Sequence, residues 1–366
     1  MKICILGLSI TSSWGNGHAT TYRSLARALH ARGHQIEFFE RDVEWYGSNR
    51  DMPEPGFCTV YLYEQWDEIL PLLRRELNDS DVAMVGSYFP DGLNAIEEIF
   101  ASRASVKAFY DIDTPITVAG LRSGGTEYLQ PGQVPGFDLY FSFTGGPLLL
   151  ELESEFGAQR PVPLYCSFDP DKYSPSDSHE SYACDLSYMG TYAGDRQAKL
   201  EEFFCKPARR LSAKKFLLAG PQYPAQLQWP RNVERIIHLE PNLHAPFYSS
   251  SRFTLNLTRK EMVAAGYSPS VRLFEAAGCG TAIISDQWEG LKTFFAPGKE
   301  ILLPESCEDV VTYLTEMDEQ EIRQIGRNAK QRVMAEHSSQ RRAIQFEQQV
   351  NRVTSGRPEV LAEPAV

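Results

Sequence analysis

The chain has no Cys-x-x-Cys pair, no lysine of the Walker type and no excess of positive charge. It also lacks any apolar run near the ~20 residues that span a bilayer. Each absence removes a class of function. The seven cysteines, at 4, 58, 166, 184, 205, 279 and 307, are odd in number and scattered. They predict reduced thiols serving as small buried hydrophobes, not a disulfide framework or a cysteine metal site. Acidic residues number 48 against 36 basic ones, for a net charge of −12. Such a surface repels nucleic acid, so a polyanionic ligand must meet a local basic site. Met1–Leu8 is apolar but short and runs into a glycine-rich loop, so it reads as a first buried strand and not as a signal peptide. The expectation is a cytoplasmic protein without a transmembrane segment.

What is present is alternation. A chain of 366 residues suits two α/β domains. Apolar runs at Ile3–Leu8, Gln35–Phe39, Val82–Gly86, Val106–Tyr110 and Leu139–Phe143 predict strands. Amphipathic stretches at His18–Arg32, Trp66–Leu77, Gly92–Ser102 and Gly146–Phe156 predict the helices between them. In the first helix Tyr22, Leu25, Ala26 and Leu29 share one face, with Arg23, Arg27 and Arg32 elsewhere. Residues 166–182 are polar and hold two prolines, which predicts an interdomain linker between domains at 1–165 and 183–338. Alternation then resumes. Strands are expected at Leu186–Met189, Lys215–Leu218, Val233–Ile237, Phe253–Leu257, Thr281–Ser285 and Glu300–Leu303. Helices are expected at Arg196–Leu211, Val271–Ala277 and Cys307–Met317. Residues 318–353 predict terminal helices, the last over 339–353, and 354–366 a flexible tail. Buried strands alternating with helices give two doubly wound parallel sheets facing across a cleft, with ligands outside the strands' C-terminal ends.

Four loops there could carry chemistry. The first, from Gly7 to His18, includes Trp14, Gly15, Asn16 and Gly17. It lacks the third glycine of a dinucleotide fingerprint, and His18 opens the following helix as a candidate general base. In the second, Asp111 and Asp113 follow a strand, where they can orient hydroxyls or accept a proton. The third runs from Gly190 to Arg196, whose guanidinium can hold a diphosphate. The fourth spans Arg259 and Lys260, suited to neutralising a leaving diphosphate, and a helix start at Pro269, Ser270 and Val271. Arg272 and Glu275 lie on that helix, where a carboxylate can grip a ribose. The scattered cysteines and histidines predict no metal site. Asp111-Ile112-Asp113 has the spelling of a metal motif but falls in the first domain.

The run Ser268-Pro269-Ser270-Val271-Arg272-Leu273-Phe274-Glu275-Ala276-Ala277-Gly278-Cys279-Gly280 resembles the signature of the CgeB-like (spore maturation protein) glycosyltransferases. These belong to the GT-B superfamily and are related to the glycosyl transferases group 1. Ile283–Leu291, Leu186–Arg196 and Tyr110–Pro115 continue the likeness. The resemblance implies two Rossmann-like domains, with a C-terminal helix packing back on the first. It implies acceptor binding by the first domain and nucleotide-sugar binding by the second, without metal or other cofactor. Glu275 then matches the acid that holds the donor ribose, and Arg196 and Arg259 match basic residues near the diphosphate. The position eight before Glu275 is Tyr267, where group 1 retaining enzymes commonly carry a second glutamate. An inverting reaction would use His18, Asp111 or Asp113 as base; a retaining one would use the leaving phosphate. A nucleotide-sugar epimerase, or a catalytically silent sugar-nucleotide binding or coat protein, is the alternative. The donor is the one partner the sequence implies; the acceptor, a small molecule, glycan or protein, is open.

Overall fold

In the computed structural model, residues 1–14 and 17–356 are described. The chain divides into two compact units: Met1–Tyr165 with the chain from Gln340 onward, and Cys166–Ser339.

The first unit holds a seven-stranded sheet. Its strands are β1 (Lys2–Leu6), β2 (Gln35–Arg41), β3 (Thr59–Tyr63), β4 (Val82–Gly86), β5 (Val106–Asp111), β6 (Leu139–Ser142) and β7 (Pro161–Pro163). They lie in the order β3-β2-β1-β4-β5-β6-β7, every pair parallel. Helices cover both faces of such a sheet, which is why β1 and β4 read as unbroken apolar runs: Ile3–Leu6 and Val82–Val85 are all buried. The sequence pattern missed β3, a half-exposed edge strand, and β7, whose two prolines mask it. It also missed the helix Thr114–Arg122. Arg23, expected off the buried face of helix His18–Ala31, is buried. It donates through Nε to Ile10 O at 2.7 Å and pairs with Asp51 at 2.8 Å.

The second unit holds five parallel strands: β8 (Cys184–Met189), β9 (Phe216–Ala219), β10 (Val233–Ile236), β11 (Ser251–Asn256) and β12 (Ala282–Ser285). Their order is β10-β9-β8-β11-β12. Three expectations change here. Glu300–Leu303 forms only isolated bridges, Ile284 with Leu302 and Pro297 with Ile301. The helix expected over Arg196–Leu211 is interrupted by a π-turn at Glu201–Cys205, just ahead of Pro207. Proline has no N–H for the preceding turn, and the helix widens there. The segment 166–182, expected as a linker, packs onto this unit. Phe168 is buried, bridges Ser338, and lies where any side chain at Gly278 would collide with its ring.

The last helix, Ser339–Thr354, returns to the first unit. Ala343, Phe346 and Val350 enter its core, and Phe346 stacks on Phe141 at 5.2 Å. Arg32 donates twice to the Glu347 carboxylate at 2.7 Å, and His34 lies at 2.7 Å from it. Of the tail expected over 354–366, residues 357–366 lie outside the described residues. Among the described residues no helix is long and apolar enough to cross a membrane.

Removing the stacked ring tests this docking. Phe346→Ala should lower the unfolding free energy by about 3–5 kcal/mol in urea denaturation. A loss under about 1 kcal/mol would mean the helix is not part of the core.

Candidate functional site

In parallel sheets a ligand site forms where neighbouring strands send their connections to opposite sides. In the second unit that point lies between β8 and β11, because the chain leaves β8 for β9 and leaves β11 for β12. The loops there are 190–196 and 257–259.

Arg272 spans the gap. Ser270 stands at the N-cap of helix Val271–Gly278, and its hydroxyl donates to Asn256 Oδ1 at 2.8 Å. Two residues on, Arg272 donates through Nη1 to the same Asn256 Oδ1 at 3.0 Å and through Nε to Met189 O. Its guanidinium lies 5.4 Å from the Tyr188 ring centre. The ends of β8 and β11 are thus joined by one cation. Gly190 follows directly, with its carbonyl accepting from the Tyr223 hydroxyl at 3.1 Å. Only glycine fits at 220 (φ +149°), since a Cβ there would approach Gly190 O to 2.0 Å.

Arg196 donates through Nη2 to Thr191 O at 2.6 Å, while its Nε is buried without a hydrogen-bond partner. Arg235, on β10, sits 4.7 Å from the centre of the Tyr223 ring and 4.9 Å from that of Trp229. Its Nε is also buried without a partner. Burial raises the Tyr223 phenol above its ordinary range, while the fields of Arg196, Arg272 and Arg235 all pull it down, so all three guanidinium groups lie within electrostatic reach of one ring. Their hydrogen bonds run to neutral oxygens: Thr191 O, Gly220 O, Met189 O and Asn256 Oδ1. Among the described residues none of the three has an ion-pair partner. An anion with several oxygens would complete this arrangement.

Arg259 and Lys260 are exposed, at the start of the short helix Lys260–Ala265. Arg259 lies 3.8 Å from Glu261, and the Lys260 backbone N–H donates to Asp195 at 2.8 Å. Their loop is fixed from below by buried Asp286, which accepts from Thr258 Oγ1 at 2.9 Å and from Lys199 Nζ at 2.6 Å. Tyr267 adopts φ +46°, an uncommon conformation for a bulky residue. Its N–H donates to Glu289 O at 2.7 Å, clipping the loop before helix Val271–Gly278 to the loop after β12.

Glu275 is 5% exposed, near Tyr173 of the segment expected to be a linker, whose hydroxyl meets His244 Nδ1 at 3.2 Å. Burial pushes the carboxyl up to about 7, against the pull of Tyr173 and Arg272. Glu275 makes no side-chain ion pair among the described residues and lies on the same helix as Arg272.

In the first unit the corresponding point lies between β1 and β4. His18, the first residue of its helix, is 7% exposed. Its Nδ1 is buried without a hydrogen-bond partner, and burial pushes the imidazole down to about 4, so it is neutral at pH 7. Tyr88, in the loop after β4, meets the His18 ring edge-on at 5.5 Å and lies 4.9 Å from Tyr128. Tyr88 has φ +62°, strain of the kind that clusters at functional sites. Sequence reasoning missed both Tyr88 and Arg235; neither belongs to a motif, and only position at a strand end marks them.

Asp111 ends β5 fully buried, accepting from Tyr140 Oη at 2.6 Å and Thr117 Oγ1 at 2.7 Å. Burial pushes it up to about 7. Its bonds are internal, so it braces the strand end and is not a free base. Asp113 is part-buried at the N-cap of helix Thr114–Arg122. Trp14 and Gly17 are exposed; Gly15 and Asn16 lie outside the described residues. The N–H groups of Ile10 and Thr11 in this loop donate to the buried Glu40 carboxylate at 2.6 and 3.0 Å. An internal anion already fills that cradle. Among the described residues no group of three His, Cys, Asp or Glu side chains is placed to hold a metal ion.

With this geometry established, comparison with known proteins adds the fold's name. Residues 196–348 match the family model described as glycosyl transferase-like. Sucrose-phosphate synthase from Thermosynechococcus elongatus is similar over 97% of this chain and 99% of its own, at 12% identity and TM-score 0.69. An alpha-glucosyltransferase in complex with UDP-glucose and DNA containing an abasic site matches over 97% and 99%, at 14% identity and TM-score 0.70. HepE from Anabaena in complex with UDP and glucose matches over 96% and 99%, at 12% identity and TM-score 0.65. No curated protein matches the chain. The chain has the GT-B fold: two parallel-sheet α/β domains.

The buried carboxyl at 275 gives a pH test. A carboxyl whose folded value is raised adds stability below its ordinary value, and that stability is lost as pH rises through the folded value. Glu275→Gln should therefore gain stability relative to wild type between about pH 4.5 and 7, then level off. Urea midpoints across that range check it; a flat difference would mean the carboxyl is ionised and open to solvent.

Proposed function

We propose that this protein is a glycosyltransferase that moves a sugar from a nucleoside-diphosphate sugar to an acceptor hydroxyl or amine. The observation that carries the reading is the pair Arg196 and Arg272 at the β8/β11 end, with Arg235 two strands along on β10, all three bonded only to neutral oxygens. Uncompensated cations at a strand-end switch point suit a diphosphate. The glycosyl transferase-like match over 196–348 supports the same reading, and neighbours solved with UDP or UDP-glucose support a nucleotide-sugar donor. The resemblance of Ser268–Gly280 makes the chain a relative of the CgeB-like enzymes in this reading, which places it in the cytoplasm.

Arg196, Arg272 and the N–H groups at Ser270 and Val271 hold the diphosphate. As the glycosidic bond lengthens, negative charge grows on the leaving phosphate, and fixed cations stabilise it without reorganising. Arg259 and Lys260, exposed nearby, add long-range attraction. The first unit takes the acceptor. An imidazole with a conjugate acid near 4 is a weak base at neutral pH. We therefore assign His18 to accepting a hydrogen bond from the acceptor, beside Tyr88, and the departing phosphate to taking the proton. The reaction then retains the anomeric configuration. It uses no resident metal, and turnover should persist in EDTA.

Incubation with a panel of donors and no acceptor tests the function. Slow release of nucleoside diphosphate with free sugar is expected; a changed sugar nucleotide would make the protein an epimerase, and binding without turnover would make it a silent binder. Arg196→Ala should weaken nucleoside diphosphate binding about tenfold or more, as loss of a charged hydrogen bond costs roughly 1.5–3 kcal/mol. Unchanged affinity by calorimetry would remove Arg196 from the site. His18→Ala should raise KM more than it lowers kcat. An inverted product by NMR, with a roughly 10²–10⁴-fold rate loss in this variant, would restore His18 as the base.

A further inference from the structure

We propose that Arg235 reads the nucleobase of the donor, selecting a base that presents carbonyl oxygens, such as uracil or guanine, over adenine. This deepens the donor-site reading above and rests on it.

The argument starts from position. Arg235 stands on β10, two strands along the sheet from β8. At ~4.8 Å per strand it lies about 10 Å along the strand ends from β8. A diphosphate held by Arg196 and Arg272, with its ribose extending toward β9, brings the base to the end of β10.

The setting of the side chain comes next. The loop after β9 walls it with Tyr223 and Trp229, whose ring centres lie 4.7 and 4.9 Å from the guanidinium carbon. That loop is itself held in an unusual shape. Gln222 has φ +68°, Tyr192 N donates to Pro221 O at 3.0 Å, and the Tyr192 and Tyr223 rings meet edge-on at 5.5 Å. Two rings fix the guanidinium, and its one hydrogen bond is long, from Nη2 to Gly220 O at 3.5 Å. Among the described residues Nη1 has no protein partner, and the residue is only half-buried. The result is a rigid planar donor with an open edge.

Chemistry selects the ligand. A guanidinium edge pairs with two acceptors, as guanine O6 and N7 supply, or with a single base carbonyl such as those of uracil. The corresponding edge of adenine presents an amino donor beside N7, which opposes an arginine. A lysine would keep the charge but lose the planar fork.

Calorimetry on the full chain with UDP, GDP, ADP and inorganic pyrophosphate tests this, using wild type, Arg235→Lys, Arg235→Gln and Arg196→Ala. Wild type should bind UDP or GDP at least about tenfold more tightly than ADP. Both Arg235 variants should shrink that preference to under roughly threefold, while ADP and pyrophosphate affinities stay near wild type. Arg196→Ala should weaken all four ligands together. A wild type that prefers ADP overturns the proposal even if the variants fail to fold. So does a preference that survives both substitutions, or an equal loss for pyrophosphate and every nucleotide, which would mark Arg235 as a structural or general charge. If wild type binds none of the four ligands, the donor-site reading fails, and this inference with it.

Discussion

The bridge from Arg272 to Met189 O and Asn256 Oδ1 sets the geometry of the second unit's ligand face. At the end of a parallel sheet the last carbonyls have no strand partner. One planar cation with several donors can close two such ends at once. The bridge also fixes the start of helix Val271–Gly278, because Ser270 uses the same Asn256 oxygen. Gly190, Tyr223 and Gly220 are then drawn against that closed end. Since the bonded oxygens are neutral, the positive charge is left over, in a protein whose net charge is −12. That surplus, located at a topological switch point, gives the second unit its chemistry.

The first unit solves a similar loop differently. After β1, the backbone N–H groups of Ile10 and Thr11 and the hydroxyls of Ser9 and Thr11 all converge on Glu40. A carboxylate built into the fold occupies the place where a phosphate would otherwise bind. What remains at that strand end is a neutral histidine and tyrosines, and among them Tyr88 carries backbone strain. A phosphate entering there would meet a buried negative charge, whereas a neutral hydroxyl-bearing molecule would not. The two units therefore share a topology and differ in electrostatic sign, and this difference separates the donor and acceptor roles in the proposal.

Much of the fold was legible in the sequence because central strands of a parallel sheet are continuous apolar runs. Val82–Gly86 needed no correction, and most other central elements moved by one or two residues. Edges were less legible. β3 alternates in exposure, and β7 is flanked by prolines. The segment 166–182 looked like a linker because its polar residues dominate the count, yet Phe168 and Tyr173 alone anchor it. In the site, Arg196 and Arg272 stood next to glycines and a helix start, where composition points to a ligand. Arg235 and Tyr88 lie outside any motif, and their roles depend on which strands become neighbours. Asp111 was read as a candidate base for a physical reason. Sequence gives its place at a strand end but not the Tyr140 hydroxyl that covers it.

The central claim is that uncompensated arginine charge at the β8/β11 end holds the donor diphosphate. A crystal structure with a bound nucleoside diphosphate tests it most directly. The account predicts phosphate oxygens within hydrogen-bond distance of the Arg196 and Arg272 side chains, next to the start of helix Val271–Gly278. Density for the diphosphate at the loop after β1, or at any position out of reach of both arginines, would contradict it.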